Sequence, residues 1–216
     1  MIEATMKEKV KEFIVKNFKW IILFICLIGF LAIAENVFNK EIMNGDIVGY
    51  KLISTFLISD FATPIAKFIT NFGGAIFLTV LTIILFILIK NKKIGLSIFS
   101  NLVIITALNQ LLKNILQRPR PTEYRIIEET GYSFPSGHSM ISMAFYGYII
   151  YLIYKYVKNK YIKWISIVLL SILICSIGIS RIYLGVHYTS DVLGGFLISV
   201  SYLVIYISAV IKSFVL

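Results

Sequence analysis

Six largely apolar runs, residues 17–38, 72–89, 94–112, 139–157, 164–179 and 192–211, constrain this chain more than any other feature. Each is about as long as an α-helix must be to cross a bilayer, and well beyond the alternating strands of a membrane barrel. With 58% hydrophobic and only 15% charged residues, the 216-residue chain lacks the polar surface of a soluble globule of its size. Disorder fails as well, because 14% aromatic residues and abundant Ile and Leu give ample apolar surface to bury. The expectation is an all-α polytopic membrane protein with six transmembrane helices. No internal repeat, low-complexity tract or linker divides it, so residues 1–216 read as one membrane-embedded domain.

The net charge of +10 would, in a soluble protein, raise the question of nucleic acid. Its placement answers differently. With both termini in the cytoplasm, the inside segments hold thirteen lysines against Glu3, Glu8 and Glu12, while the outside segments hold eight cations against eight carboxylates. Positive charge gathers on the side where membrane proteins keep it. The basic balance therefore reports topology, and no nucleic-acid partner is expected.

Residues 1–16 carry Met6, Val10, Phe13 and Ile14, with Phe18 beyond, at helical spacing, an amphipathic segment suited to the inner leaflet. The first run ends Ala32-Ile33-Ala34, the form of a signal-peptide cleavage site, but nineteen residues are a long approach to it and its removal would spoil the even span count. Between spans one and two, residues 39–71 contain two shorter helical patterns, expected as interfacial helices on the extracytoplasmic side. The piece 47–59, with Lys51, is too short to cross and reads as a connector or as a lid over a lipid entry. Cys26 and Cys175 fall inside apolar runs and are expected as buried free thiols.

Ionisable side chains at membrane depth are expensive unless they are paired or face water. Here they converge on three segments at the outer ends of their helices. The first, after span three, runs from Lys113 to Arg118-Pro119-Arg120-Pro121. Its cations, with prolines ending the helix, suit a grip on a phosphate dianion, and suit headgroup snorkelling as well. The second is Pro135-Ser136-Gly137-His138, leading directly into span four. Ser136 fits an N-cap, Gly137 permits close backbone approach, and the first helical amides face any anion there; an interfacial cap is the plainer reading. The third runs from Ser180-Arg181 to His187 and Asp191. The last two are four residues apart, so on a helix the carboxylate can hold one ring nitrogen and leave the other free to attack; a structural His-Asp pair is the alternative.

Together the three segments resemble the signature of the type 2 phosphatidic acid phosphatase superfamily, which includes bacterial acid phosphatases and vanadium haloperoxidases. Lys113, six residues, Arg120-Pro121; Pro135-Ser136-Gly137-His138; and Ser180-Arg181, five residues, His187, three residues, Asp191 match it at every fixed position and in order. The resemblance implies that His187 attacks phosphorus to form a phosphohistidine, that Asp191 orients it, and that His138 protonates the leaving oxygen and then activates water. Lys113, Arg120, Arg181, Ser136 and the Gly137 amide would hold the phosphoryl oxygens. No metal or other cofactor is implied, and with Asp191 so used no cluster stands at metal-ligand spacing. Arg118, outside the minimal motif, is a candidate contact for a second phosphate or a headgroup. Glu123, Glu128 and Glu129, which would repel an anion, are expected as solvated loop residues.

The expected activity is hydrolysis of a membrane lipid phosphate or diphosphate at the extracytoplasmic face. The Ile-, Lys- and Asn-rich composition resembles AT-rich bacteria, which makes phosphatidylglycerol phosphate, phosphatidic acid and undecaprenyl diphosphate the candidate substrates. A phosphotransferase using the same phosphohistidine, and a non-catalytic lipid-binding or transport protein, are the alternatives. The latter predicts loss of His138, His187 or Asp191, and all three are present.

Overall fold

The computed structural model describes residues 2–210, with side chains from residue 16 onward, and the described residues are all-helical. The elements in order are α1 (Ile2–Phe38), α2 (Asn44–Phe56), α3 (Ala62–Asn71), α4 (Ala75–Leu88), α5 (Lys92–Leu116), α6 (Gly137–Tyr156), α7 (Lys160–Tyr183) and α8 (Thr189–Val210). The helix starts follow from local chemistry. Asn91 caps α5 by accepting the Lys93 amide at 3.0 Å, and Asn159 caps α7 by accepting the amides of Tyr161 and Ile162 at 3.0 and 3.1 Å. Of the expected amphipathic segment 1–16, residues 2–16 form one unbroken helix with span one; the side chains of Met6, Val10, Phe13 and Ile14 lie outside the described residues.

Among the described residues four helices are long and apolar enough to cross a membrane: the 16–38 part of α1, then α5, α7 and α8. The expected span 72–89 is instead a bent pair. Helix α4 has 14 residues, about 21 Å at 1.5 Å per residue and short of the roughly 30 Å hydrocarbon. It meets α3 across Phe72-Gly73-Gly74 at 49°, and only together do the two reach spanning length. The elbow falls on the glycines because a Cβ on Gly73 would stand 2.7 Å from Ile177 Cγ2. Helix α6 misses the apolarity of its neighbours, having five tyrosines and two serines among its 20 residues.

That composition fits its place. Helix α6 packs against α5, α7 and α8, while α1 lies on α8, α4 on α5, α3 on α7, and α2 on the α7–α8 end. Polar side chains point inward: Ser97, Asn101, Asn109, Ser139, Ser142, Ser199 and Ser201 are all buried. Tyr148 Oη donates to Ser97 Oγ at 2.8 Å, Tyr206 Oη to the Ser97 carbonyl at 2.5 Å, and Ser199 Oγ to the Met140 carbonyl at 2.7 Å. Outward stand Ile25, Ile28, Ile76, Ile87, Ile165 and Leu169, each more than half exposed. Such an apolar exterior suits lipid, where apolar burial no longer drives association and interhelical bonds contribute about 0.6 kcal/mol each. Both cysteines are free as expected, but they face this outer belt: Cys26 is half-buried and Cys175 exposed.

Small residues then let the site close. A Cβ on Gly194 would lie 2.6 Å from the Phe134 ring, and one on Gly195 would lie 3.2 Å from the Ser136 carbonyl. The start of α8 is thereby pressed onto the turn that opens α6.

Candidate active site

Four helix ends meet at one end of the bundle: the last turns of α5 and α7 and the first turns of α6 and α8. Each is ended by its own sequence. Helix α5 stops at Leu116, Gln117 turns left-handed at φ 46°, and Pro119 follows. Helix α7 ends at Tyr183, after which Gly185 at φ 69° reverses the chain toward His187. Nothing but glycine fits there, since a Cβ would stand 2.0 Å from the Tyr124 carbonyl oxygen of the loop 117–136. That loop is tied down by Ile126 N–H to the Leu184 carbonyl at 3.0 Å and Ser133 N–H to the Arg118 carbonyl at 2.8 Å.

His187, Asp191 and Arg120 form one array. The His187 Nδ1 lies 3.2 Å from Asp191 Oδ2, which also accepts the Tyr188 amide at 2.9 Å. Arg120 Nη1 lies 3.0 Å from His187 Nε2 and donates to the Val186 carbonyl at 3.0 Å. A guanidinium only donates, so Nε2 presents its lone pair and Nδ1 carries the proton shared with Asp191. Burial, then the charges of Arg181, Arg120 and Lys113, hold the His187 pKa well below the usual histidine range. The ring is therefore neutral, with its lone-pair nitrogen facing a cation.

The cavity in front of it, about 530 Å³, is lined by Lys113, Arg120, Gly137, His138 and His187 together with Gln110, Asn114, Thr130, Gly131 and Tyr132. The two histidines, 49 residues apart in sequence, share this one space. Lys113 reaches across to the Tyr132 carbonyl, and Arg120 is steadied by the Thr130 and Gly131 carbonyls at 2.9 and 3.0 Å. Ser136 is the N-cap of α6: its Oγ accepts the Ser139 hydroxyl at 3.0 Å and the Ser139 amide at 3.4 Å. Helix geometry leaves the Gly137 and His138 amides without intrahelical partners. A Cβ on Gly137 would stand 3.2 Å from Asn109 Oδ1, so α5 and α6 approach here only through glycine. The α3–α4 elbow backs His138, with a Gly73 Cβ position 3.3 Å from its Cδ2.

Arg181, Ser136 and Asp191 are buried and do not line the cavity. Arg181 Nη1 donates to Thr70 Oγ1 at 2.7 Å, Nη2 bonds Glu129, and Nε has no hydrogen-bond partner although it is buried. Two expectations are corrected. Arg118 is not placed to meet a second phosphate or a headgroup, because it is 6% exposed and its Nη1 and Nη2 are bonded to Asp191, Ser190 and Asp46. Glu123 and Glu128 are exposed as expected, but Glu129 is not a solvated loop residue. It pairs with Arg181 and stands 3.9 Å from Arg120. Burial alone would raise its pKa, but the charge and hydrogen bond of Arg181, with His138 and Arg120 further off, hold it below the usual carboxylate range.

Asp46, Thr70 and Glu129 were missed from sequence. Asp46 and Thr70 sit in the segment 39–71, with no motif to mark them; the one available signal was a carboxylate, Asp46, on a helix otherwise facing an apolar surface. Among the described residues no group of three or more His, Cys, Asp or Glu is arranged to hold a metal ion.

Residues 94–214 match the PAP2 superfamily. Over 90 residues the chain is 40% identical to phosphatidylglycerophosphatase B of Bacillus subtilis (strain 168), a match covering 41% of this chain and 44% of that protein. It is 27% identical over 195 residues to an undecaprenyl-diphosphatase of Sulfolobus acidocaldarius, covering 85% and 86% of the two chains. The crystal structure of a transmembrane PAP2-type phosphatidylglycerolphosphate phosphatase from Bacillus subtilis superposes with a TM-score of 0.78 at 27% identity, over 88% of this chain and 96% of that one. The chain belongs to the PAP2 superfamily.

Proposed function

We propose that this integral membrane protein is a lipid phosphatase that works through a phosphohistidine at His187 and uses no metal ion. The observation that carries the proposal is the array Arg120–His187–Asp191, in which Nε2 carries its lone pair under a hydrogen bond from Arg120 and lies on a cavity shared with His138. As phosphate enters, Arg120 turns its Nη1 from Nε2 to a phosphoryl oxygen, and Lys113 and the Gly137 and His138 amides bind the others. The Nε2 lone pair forms the N–P bond while the P–O bond to the lipid breaks, and His138 gives a proton to the departing oxygen. The positive charge left on the His187 ring is offset by Asp191. His138 then takes a proton from water, whose oxygen attacks phosphorus; the N–P bond breaks and inorganic phosphate leaves. Charge that grows on the equatorial oxygens is met by cations already in place, where electrostatic preorganisation contributes most.

Phosphatidylglycerol phosphate, phosphatidic acid and undecaprenyl diphosphate are the proposed substrates, the first and last in keeping with the names of relatives. Six crossings, by α1, the α3–α4 pair, α5, α6, α7 and α8, put both termini in the cytoplasm and the cavity at the extracytoplasmic face, as the lysine distribution favours. Purified protein in detergent with chelator should release phosphate from at least one of these lipids, and His187→Ala should not. Equal release by the variant would defeat the reading. Transfer of the phosphoryl group to an added alcohol in preference to water would identify a phosphotransferase.

A further inference from the structure

Behind the His187–Asp191 pair runs a buried chain of charges that reaches a helix far from the motifs. Arg118 Nη1 donates to Asp191 Oδ1 and to Ser190 Oγ, both at 2.7 Å, and its Nη2 donates to Asp46 Oδ2 at 2.7 Å. The other oxygen of Asp46 accepts the Ser190 amide, in the first turn of α8, at 2.8 Å. Asp46 is 3% exposed, Asp191 is fully buried, and the Arg118 guanidinium also lies 4.0 Å from the Tyr188 ring centroid. Helix α2 is seated there by Gly49, where a Cβ would stand 2.2 Å from Thr189 Oγ1.

The charge count gives this arrangement its meaning. Arg118 and Asp191 alone would form a neutral pair, and the carboxylate would have little net charge left to offer an imidazolium on its other side. With Asp46 on the far side of Arg118, the trio carries one net negative charge. Its geometry is also fixed: the guanidinium fork holds Asp191 Oδ1, which leaves Oδ2 turned to His187, and Asp46 caps α8 from outside the helix.

Resting on the reading of His187 as nucleophile, we infer that Asp46 and Arg118 are positioning residues for it. Asp46 balances Arg118 so that Asp191 can neutralise the phosphorylated ring, and α2 belongs to the catalytic apparatus rather than serving as a connector or lid. Neither side chain lines the substrate cavity, so the effect falls on the chemical step and not on binding.

The test uses full-length protein in detergent, with kcat and KM measured on a lipid monophosphate and thermal unfolding measured alongside. Asp46→Asn keeps the shape and removes the charge. Its kcat should fall about ten- to hundredfold, the range seen when outer partners of functional histidines are lost, with KM within about twofold by the same argument. Asp46→Asn combined with Arg118→Gln removes both charges and should recover several-fold of that loss. Asp46→Glu, which keeps the charge, should retain more activity than Asp46→Asn. Unchanged kcat in Asp46→Asn, or a double variant no faster than the single, would overturn the inference. If Asp46→Asn does not fold, Asp46→Glu against the double variant gives the same comparison: a double variant at wild-type rate refutes the role. His187→Ala, run in parallel, separates the two readings: activity there sinks the nucleophile and this inference together, whereas inactivity there with normal Asp46→Asn sinks only the inference.

Discussion

Asp191→Asn isolates the electrostatic part of the proposed mechanism. The carboxylate is fully buried, with Oδ2 at 3.2 Å from His187 Nδ1. For opposite charges at that separation and an effective dielectric near 20, the interaction is about 5 kcal/mol. At 1.36 kcal/mol per factor of ten this is a rate loss of up to about 10⁴ for forming the charged phosphohistidine. Arg118, at 2.7 Å from Oδ1, already draws on part of that charge, which brings the expected loss to about 10³ to 10⁴. The amide also has no good orientation. An amino group facing Oδ2's position meets two donors, Tyr188 N–H and His187 Nδ1–H, and facing Oδ1's position it meets Arg118. Single-turnover release of phosphate from a lipid monophosphate, with substrate saturating, reads the chemical step directly. A rate within tenfold of wild type, in protein that remains folded, would refute the charge-offset reasoning.

Four further outcomes follow from the same structure. Gly185→Ala should destabilise the detergent-solubilised protein by about 1–2 kcal/mol from the left-handed backbone alone and lower activity further, because the loop bearing Arg120 must move off the Tyr124 contact; unchanged thermal unfolding and activity would contradict this. Glu129→Gln should tighten inhibition by orthovanadate several-fold, since the carboxylate stands 3.9 Å from Arg120, which lines the cavity, and repels an incoming anion; inhibition constants measured for both proteins decide it. Stability should fall as pH drops below about 6.5, because His187 is held neutral in the folded protein and gains a proton on unfolding there. His187→Gln should remove up to about 1.4 kcal/mol per pH unit of that slope between pH 6.5 and 5, and equal slopes in thermal melts would count against a buried neutral ring. His138→Ala should slow poor leaving groups more than an activated aryl phosphate, and uniform loss would assign His138 a structural role.

The spans and the three polar segments were legible because each follows from a local rule. Apolar length gives α1, α5, α7 and α8, and Ser136 caps α6; His187 and Asp191 do meet, but not on one helical face, since α8 starts at Thr189 and His187 stands in the bend before it. What escaped depends on side chains that find each other across the bundle. Asp46 reads as an ordinary first-turn acid of a surface helix, and only the fold shows it meeting Arg118, 72 residues on. In sequence Arg118, a cation beside Arg120, looks free to meet a ligand, yet two carboxylates and Ser190 claim it. Glu129 reads as a solvated loop acid, yet the charge of Arg181 draws it in. The straight span 72–89 failed for a different reason: apolar length does not register that Gly73 and Gly74 bend the path against α7 and His138.

The central claim is that His187 is the phosphorylated nucleophile, and trapping it is the most direct test. His138→Ala, which should slow water attack, is mixed with an activated aryl phosphate carrying labelled phosphate, whose leaving group needs no proton from His138, and quenched in alkali, where phosphohistidine survives. Label that is acid-labile and maps to the peptide containing His187 is the predicted result. Turnover with no labelled protein, or label on any other residue, would contradict the account.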